Sequence, residues 1–150
     1  MTELSGFLLL RAANMWQRRM RKLLKPFDLT ITQYLLLSGL KTLQEASGGS
    51  VSQAILARHC RTDPMMTSQV LRVLEDATLI RRTSDADDGR ITVVSLTEKG
   101  DVLFTNAAID VEPADIEFHA ALGENAGPFA DALRVLMGER IRRRANSTSV

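Results

Sequence analysis

The chain has 150 residues, 45% of them hydrophobic and 25% charged, with a formal net charge of +1. This is the balance of an ordinary soluble chain that can bury one core, and with 5% aromatic residues that core must be largely aliphatic. No apolar run approaches the roughly 20 residues needed to cross a bilayer, and the single Cys60 excludes an intramolecular disulfide.

Phe7-Leu8-Leu9-Leu10 follows Glu3 and has no basic leader before it, so a signal peptide is not expected. Together with the lone cysteine this points to the cytoplasm, with no membrane partner. Residues 4–25 are helical in pattern: Leu8, Ala12, Met15, Trp16, Met20, Leu23 and Leu24 recur at three- and four-residue steps. Pro26 stops the pattern. A second helix starts near Thr30 or Thr32, either of which can cap it, and carries Tyr34, Leu35, Leu37 and Leu40 toward Ala46. Ser47-Gly48-Gly49-Ser50 reads as a loop.

Ser52 caps a short helix that runs to about His59, with Leu56 and Ala57 inward. After Cys60-Arg61-Thr62 comes the clearest start signal, Asp63-Pro64. The aspartate accepts from free first-turn amides, and proline at the first helical position sacrifices no bond. Thr67, Val70, Leu71 and Leu74 mark the buried face of this helix, up to about Ala77.

The period then changes. Residues 79–82 and 91–96 are strand-like, and the polar segment between them concentrates its turn chemistry at Asp88-Gly89, so the region reads as a hairpin. Thr97 caps a further helix that continues toward Ile109. Pro113, Gly123, Gly127 and Pro128 break the region after it, and the pattern leaves the number of helices there open. From about Phe129, Leu133, Leu136, Met137 and Ile141 form a last apolar stripe that Arg142-Arg143-Arg144 terminates, and residues 145–150 read as a flexible tail. The fold class expected is mostly α with a small β-hairpin wing.

Two short helices joined by a tight turn and followed by a hairpin have the proportions of a winged helix-turn-helix. The second helix fits the DNA major groove. With its apolar face inward, the outward positions are Met65, Met66, Ser68 and Gln69, then Arg72 and Val73 a turn later. Gln69 offers a bidentate contact to adenine, Ser68 a contact to a base or a phosphate, and Met65 or Met66 an apolar contact to a thymine methyl. Packing of the first turn explains Met66 equally well. At the hairpin tip Arg90 suits a narrow, electronegative minor groove, provided that Asp88 pairs with it or with a neighbouring arginine.

The stretch from Leu74-Glu75 through Leu79-Ile80-Arg81-Arg82, then Asp88-Gly89-Arg90, then Leu96-Thr97-Glu98-Lys99-Gly100, resembles the signature of the MarR family. Leu29 to Tyr34 and Leu56-Ala57 resemble the family's upstream segments. The resemblance implies a homodimer on a pseudo-palindromic operator in double-stranded DNA. In that arrangement residues 29–107 are the DNA-binding domain and residues 1–28 and 108–144 the dimerisation helices. It also implies repression, with release by a small aromatic or phenolic effector in a cleft bordered by Met15, Trp16 and Arg19. No cofactor, metal or catalytic role is expected.

The chain departs from the family pattern in three places. Ala77-Thr78 replaces the usual Lys-Gly, Ile55 stands where a glutamate is common, and the acidic segment from Asp110 to Pro128 is interrupted by proline and glycine. Two other readings compete with the first: a winged helix used for protein contacts, and redox sensing through Cys60. An inert core thiol explains Cys60 more simply, because its place usually holds a buried leucine.

Overall fold

The computed structural model describes residues 2–141, which divide into two compact units, one ending at Pro113 and the other starting at Ala114. In the first unit, α1 (Ser5–Leu24) passes into a 3-10 turn at Lys25–Phe27 that holds Pro26, so the expected stop is where the proline puts it. Then come α2 (Ile31–Ser47), β1 (Val51–Ser52), α3 (Gln53–Cys60), α4 (Pro64–Asp76), β2 (Ile80–Ser84), β3 (Thr92–Leu96) and the start of α5 (Glu98–His119). The architecture is the expected one, helical with a small antiparallel wing.

Between the two candidate caps for α2, Thr30 is the one used. Its Oγ1 accepts from the Gln33 amide at 3.1 Å while Gln33 Oε1 accepts from the Thr30 amide at 2.9 Å, a reciprocal capping box. The run Leu35-Leu36-Leu37 hides the phase of this helix. Leu36, Leu37 and Leu40 are buried, and Leu35, expected inward, is exposed. The core is aliphatic as the composition required: Met20, Leu24, Leu37, Leu40, Leu56, Leu71, Leu74 and Val94 are closed off from solvent. Only the C-terminal half of α1 contributes, since Leu8 and Met15 of the expected stripe are exposed, along with Leu4, Phe7, Leu9 and Leu10.

The sheet has three strands rather than the hairpin's two. Its order is β1-β3-β2, all antiparallel, with Val51 opposite Val94 and Ile80 opposite Leu96. Val51-Ser52 is too short to show a period, and it becomes a strand only because β3 offers a free edge to pair with. Helix α2 braces this sheet: Gln44 Oε1 accepts from the Leu96 amide at 2.8 Å. It also meets α5, through Lys41 Nζ to Asp101 Oδ1 at 2.7 Å and through the Tyr34 and Phe104 rings at 5.2 Å.

Helix α5 corrects the expectation of a break at Pro113, because it runs through that residue to His119. The carbonyl that proline leaves without a donor is that of Ile109, a residue 67% exposed, so water can satisfy it. In the second unit a 3-10 segment at Ala120–Asn125 is interrupted at Gly123, whose φ of 55° and ψ of −129° are not helical. Pro128 does not break α6 (Ala126–Leu136), since it falls in the first turn, where no intrahelical donor is needed. The helix ends sooner than its apolar stripe suggests. Gly138 turns the chain at φ 78°, and the Glu139 amide closes back on the Arg134 carbonyl at 2.9 Å. Ile141 therefore lies beyond the helix, while Arg142-Arg143-Arg144 and the tail at 145–150 fall outside the described residues.

Candidate nucleic-acid interface

The turn between α3 and α4 forms without glycine. Arg61 takes the left-handed conformation at φ 54°, and the Thr62 amide reaches back to the Ala57 carbonyl at 3.0 Å. Asp63 then caps α4 as its sequence predicts, with Oδ2 accepting from the Met66 amide at 2.9 Å. Thr67 is fully buried, and its Oγ1 lies 2.8 Å from the Asp63 carbonyl and 2.7 Å from Thr62 Oγ1. The cap, the turn and the first buried residue of the helix are thus one hydrogen-bonded unit, which fixes where the outward face of α4 points.

That face carries Met65, 74% exposed, with Gln69, Arg72 and Val73. Met66 and Ser68 are half-buried, as is Val70 on the face predicted to be inward. Met65 and Val73, 53% exposed, thus present apolar side chains to solvent on the same face.

The wing tip is built differently from an Asp-Gly turn. Gly89 does not take positive φ; instead Asp85 Oδ1 accepts from the amides of Asp87 and Asp88 at 2.9 and 3.1 Å. The loop closes from the Asp85 amide to the Ile91 carbonyl at 2.8 Å. These aspartate-to-backbone bonds replace the glycine geometry. Asp88 then holds Arg90 three times: Oδ1 accepts from the Arg90 amide and from Nε, both at 3.0 Å, and Oδ2 from Nη2 at 3.1 Å. The Arg90 hydrogen bonds hold the Asp88 carboxyl below its ordinary range. The Arg90 side chain is 91% exposed, yet it is oriented by a bidentate pair. Of the two arrangements open to Asp88, the structure has the one with Arg90.

Two residues of this region were not singled out from the sequence. Glu75, in the last turn of α4, accepts from the Arg82 amide on β2 at 3.0 Å and from its Nη2 at 3.2 Å. In the sequence they appear only within the family-like stretch, an acid and a base seven residues apart across a turn. With no glycine in that turn, a β-branched residue takes the left-handed conformation: Thr78 sits at φ 61°. It is held there by Thr97, whose Oγ1 donates to the Thr78 carbonyl at 2.7 Å, and by Lys99, whose Nζ donates to the Ala77 carbonyl at 3.0 Å.

Met15 and Arg19, expected to border an effector cleft, line an open depression of about 260 Å³ together with Arg18 and Lys22; Trp16 is not among its lining residues. Cys60 is buried, its Sγ 3.6 Å from the Leu35 carbonyl oxygen, and burial pushes the thiol up to about 11. A thiol so rarely ionised near neutrality is a poor redox sensor. The described residues hold no cluster of His, Cys, Asp and Glu able to bind a metal ion, and none of their helices is long and apolar enough to cross a membrane.

The profile of the MarR family matches residues 29–92, the segment from the cap of α2 to the start of β3. A Bacillus subtilis protein described as an uncharacterised HTH-type transcriptional regulator, YdcH, is 42% identical over 116 residues, which are 77% of this chain and 78% of that one. The chain belongs to the MarR family. A second relative of this MarR-family chain, the HTH-type transcriptional repressor Rv2887 of Mycobacterium tuberculosis, is 32% identical over 78% of this chain and 81% of its own. The crystal structure of a MarR-family transcriptional regulator from Rhodococcus sp. RHA1 superposes with a TM-score of 0.79 at 25% identity, covering 91% of this chain and 96% of that one. As a member of the family the protein is a DNA-binding transcription regulator and not an enzyme, which sets aside the reading of the winged helix as a protein-contact module.

Proposed function

We propose that this MarR-family protein is a repressor that binds a pseudo-palindromic operator as a homodimer and leaves it when a small aromatic or phenolic effector binds. Helix α4 lies in the major groove, with Gln69 and Ser68 reading base edges, Met65 or Met66 against a thymine methyl and Arg72 nearby. Arg90 enters the flanking minor groove. The observation that carries this reading is the pair at the wing tip: a guanidinium exposed to solvent and already oriented by Asp88. Such an arginine loses little side-chain freedom on binding, and the negative potential of a narrow minor groove attracts its exposed guanidinium.

Dimerisation is assigned to residues 1–28 and 108–144. Leu4, Phe7, Leu8, Leu9 and Leu10 support it, because four consecutive exposed apolar residues face nearly all sides of a helix and need more than one covering surface. The effector is assigned to the depression at Met15 and Arg19, with Trp16 beside it on the same helix. Repression is supported by the name of the relative Rv2887.

The test is fluorescence anisotropy on duplex fragments from the DNA flanking the gene, over a salt series. Wild-type protein should select one fragment, with affinity falling steeply as salt rises because phosphate contacts release counterions. Arg90→Ala should weaken that binding about 10- to 100-fold with the dimer intact. Gln69→Ala should relax preference at one base pair of each half-site. Absence of any sequence-preferring binding at low salt would sink the proposal.

A further inference from the structure

The alternation of β2 creates a problem that Glu75 solves. Ile80 is buried on the core side of the strand, and Arg82, two residues on, shares that side, directly opposite the fully buried Val94. A guanidinium is thereby carried to the edge of the core, and its side chain is only 17% exposed. Arg82 Nε is buried and has no hydrogen-bond partner among the described residues. Whatever restrains this side chain must come from inside the fold, and the group that does so is the carboxylate of Glu75. One oxygen takes the Arg82 amide and the other takes Nη2. The Arg82 hydrogen bonds hold the Glu75 carboxyl below its ordinary value.

Glu75 belongs to the last turn of α4, whose earlier turns carry Met65, Gln69 and Arg72. Arg82 belongs to the strand that leads to the wing tip, which carries Arg90. Between them the chain passes through Thr78 at φ 61°, a conformation that a β-branched residue adopts only under constraint. The side-chain link that joins the body of α4 to β2 across this turn is Glu75 to Arg82.

From this geometry we infer that Glu75 is a positioning residue for the wing: its carboxylate couples the recognition helix to β2 through Arg82, so that α4 and Arg90 engage DNA as one body. The inference rests on the DNA-binding arrangement proposed above. Loss of the carboxylate leaves the wing attached by its ladder to β3 but frees its angle to α4. Arg90 then reaches its groove only in part of the population, and its contribution to binding is reduced by that fraction.

A double-mutant cycle between positions 75 and 90 tests this. The probe is the tightest 30-base-pair duplex that the wild-type protein selects from a randomised pool, read by anisotropy against a scrambled duplex of equal length. Glu75→Ala is expected to weaken selected-duplex binding about tenfold and scrambled-duplex binding much less. In its background Arg90→Ala is expected to cost at most a third of the fold-change it costs in wild type. Glu75→Gln, nearly the same shape and retaining one acceptor, should show the same non-additivity in milder form, and it serves alone if Glu75→Ala is not folded at the assay temperature. If Arg90→Ala costs the same fold-change in wild type and in both Glu75 variants, Glu75 is a structural residue and the inference is overturned. If wild-type protein selects no duplex at all, the DNA-reading arrangement itself fails, and the coupling fails with it.

Discussion

Helix α5 begins so close to the start of β2 that position 100 admits no side chain. A methyl group added to Gly100 would lie 1.9 Å from the Leu79 carbonyl oxygen and 2.8 Å from its carbon, both backbone atoms that cannot rotate aside. Restoring ordinary contact requires the two segments to part by about 1.5 Å. Two bonds span that gap. The Thr97 amide donates to the Leu79 carbonyl at 3.1 Å, and Thr97 Oγ1 donates to the Thr78 carbonyl at 2.7 Å. Losing both costs about 1 kcal/mol each, and the residual overpacking about 1–3 kcal/mol. Gly100→Ala is therefore expected to destabilise the protein by about 3–5 kcal/mol, lowering the melting temperature by roughly 10 °C at this chain length. Circular dichroism melts at one fixed protein concentration measure this, because melting of the proposed dimer would depend on concentration. Gly89→Ala is the control, since nothing lies within 4 Å of a Cβ there and its φ is not positive; it should melt within about 2 °C of wild type. A Gly100→Ala protein that melts less than about 3 °C below wild type would show that the helix start yields freely, and the close approach would not be what locates it.

At the neighbouring turn the sign reverses. Thr78→Gly removes the cost of a β-branched residue at φ 61° and gives up two exposed hydroxyl contacts, Oγ1 to the Ala77 carbonyl at 2.6 Å and Lys99 Nζ to Oγ1 at 3.2 Å, so thermal melts should show a gain of about 0.5–1 kcal/mol; a loss would mean that these hydroxyl contacts outweigh the strain. The Cys60 thiol, pushed up to about 11 by burial, should react with a disulfide reagent at pH 8 at least 100-fold more slowly in native than in denatured protein. Equal rates would return Cys60 to consideration as a sensor. The Glu75 carboxyl is depressed from its ordinary 4.5, so the stability it contributes is fully present above about pH 4.5 and is lost as pH falls through the lower folded value. The melting-temperature difference between wild type and Glu75→Gln should accordingly be constant from pH 8 to 5 and shrink below pH 4.5. A difference that persists undiminished at pH 3 would mean that it does not come from the charge of Glu75.

Several elements could be read from local chemistry because their causes are local. The Asp63-Pro64 start of α4 is decided by a side chain three residues from the amide it caps, and the Asp88 hold on Arg90 spans two residues. The left-handed conformation of Thr78 was not legible, because glycine, the residue that signals it, is absent from that turn. Neighbours decide the rest. Val51-Ser52 becomes a strand because β3 is present to pair with it, and α5 passes Pro113 because the freed carbonyl of Ile109 lies on an exposed part of the helix. The phase of Leu35-Leu36-Leu37 awaited the surface that α2 packs against.

Glu75 shows the same division within the candidate site. Its place at the end of α4 follows from the period of the helix, and the place of Arg82 in β2 follows from the alternation of the strand. Their meeting depends on the angle at which the chain turns through Thr78, and on Val94 opposite Arg82, which closes off solvent and leaves the guanidinium an internal partner. Sequence alone determined most of the outward face of α4 in this MarR-family protein, Met65, Gln69, Arg72 and Val73, because that face follows from the periodicity of the helix, while Met66 and Ser68, expected there too, are half-buried at its edge. Only the tertiary structure decided how helix and wing are held relative to each other, because that depends on contacts between segments whose separation is set by packing.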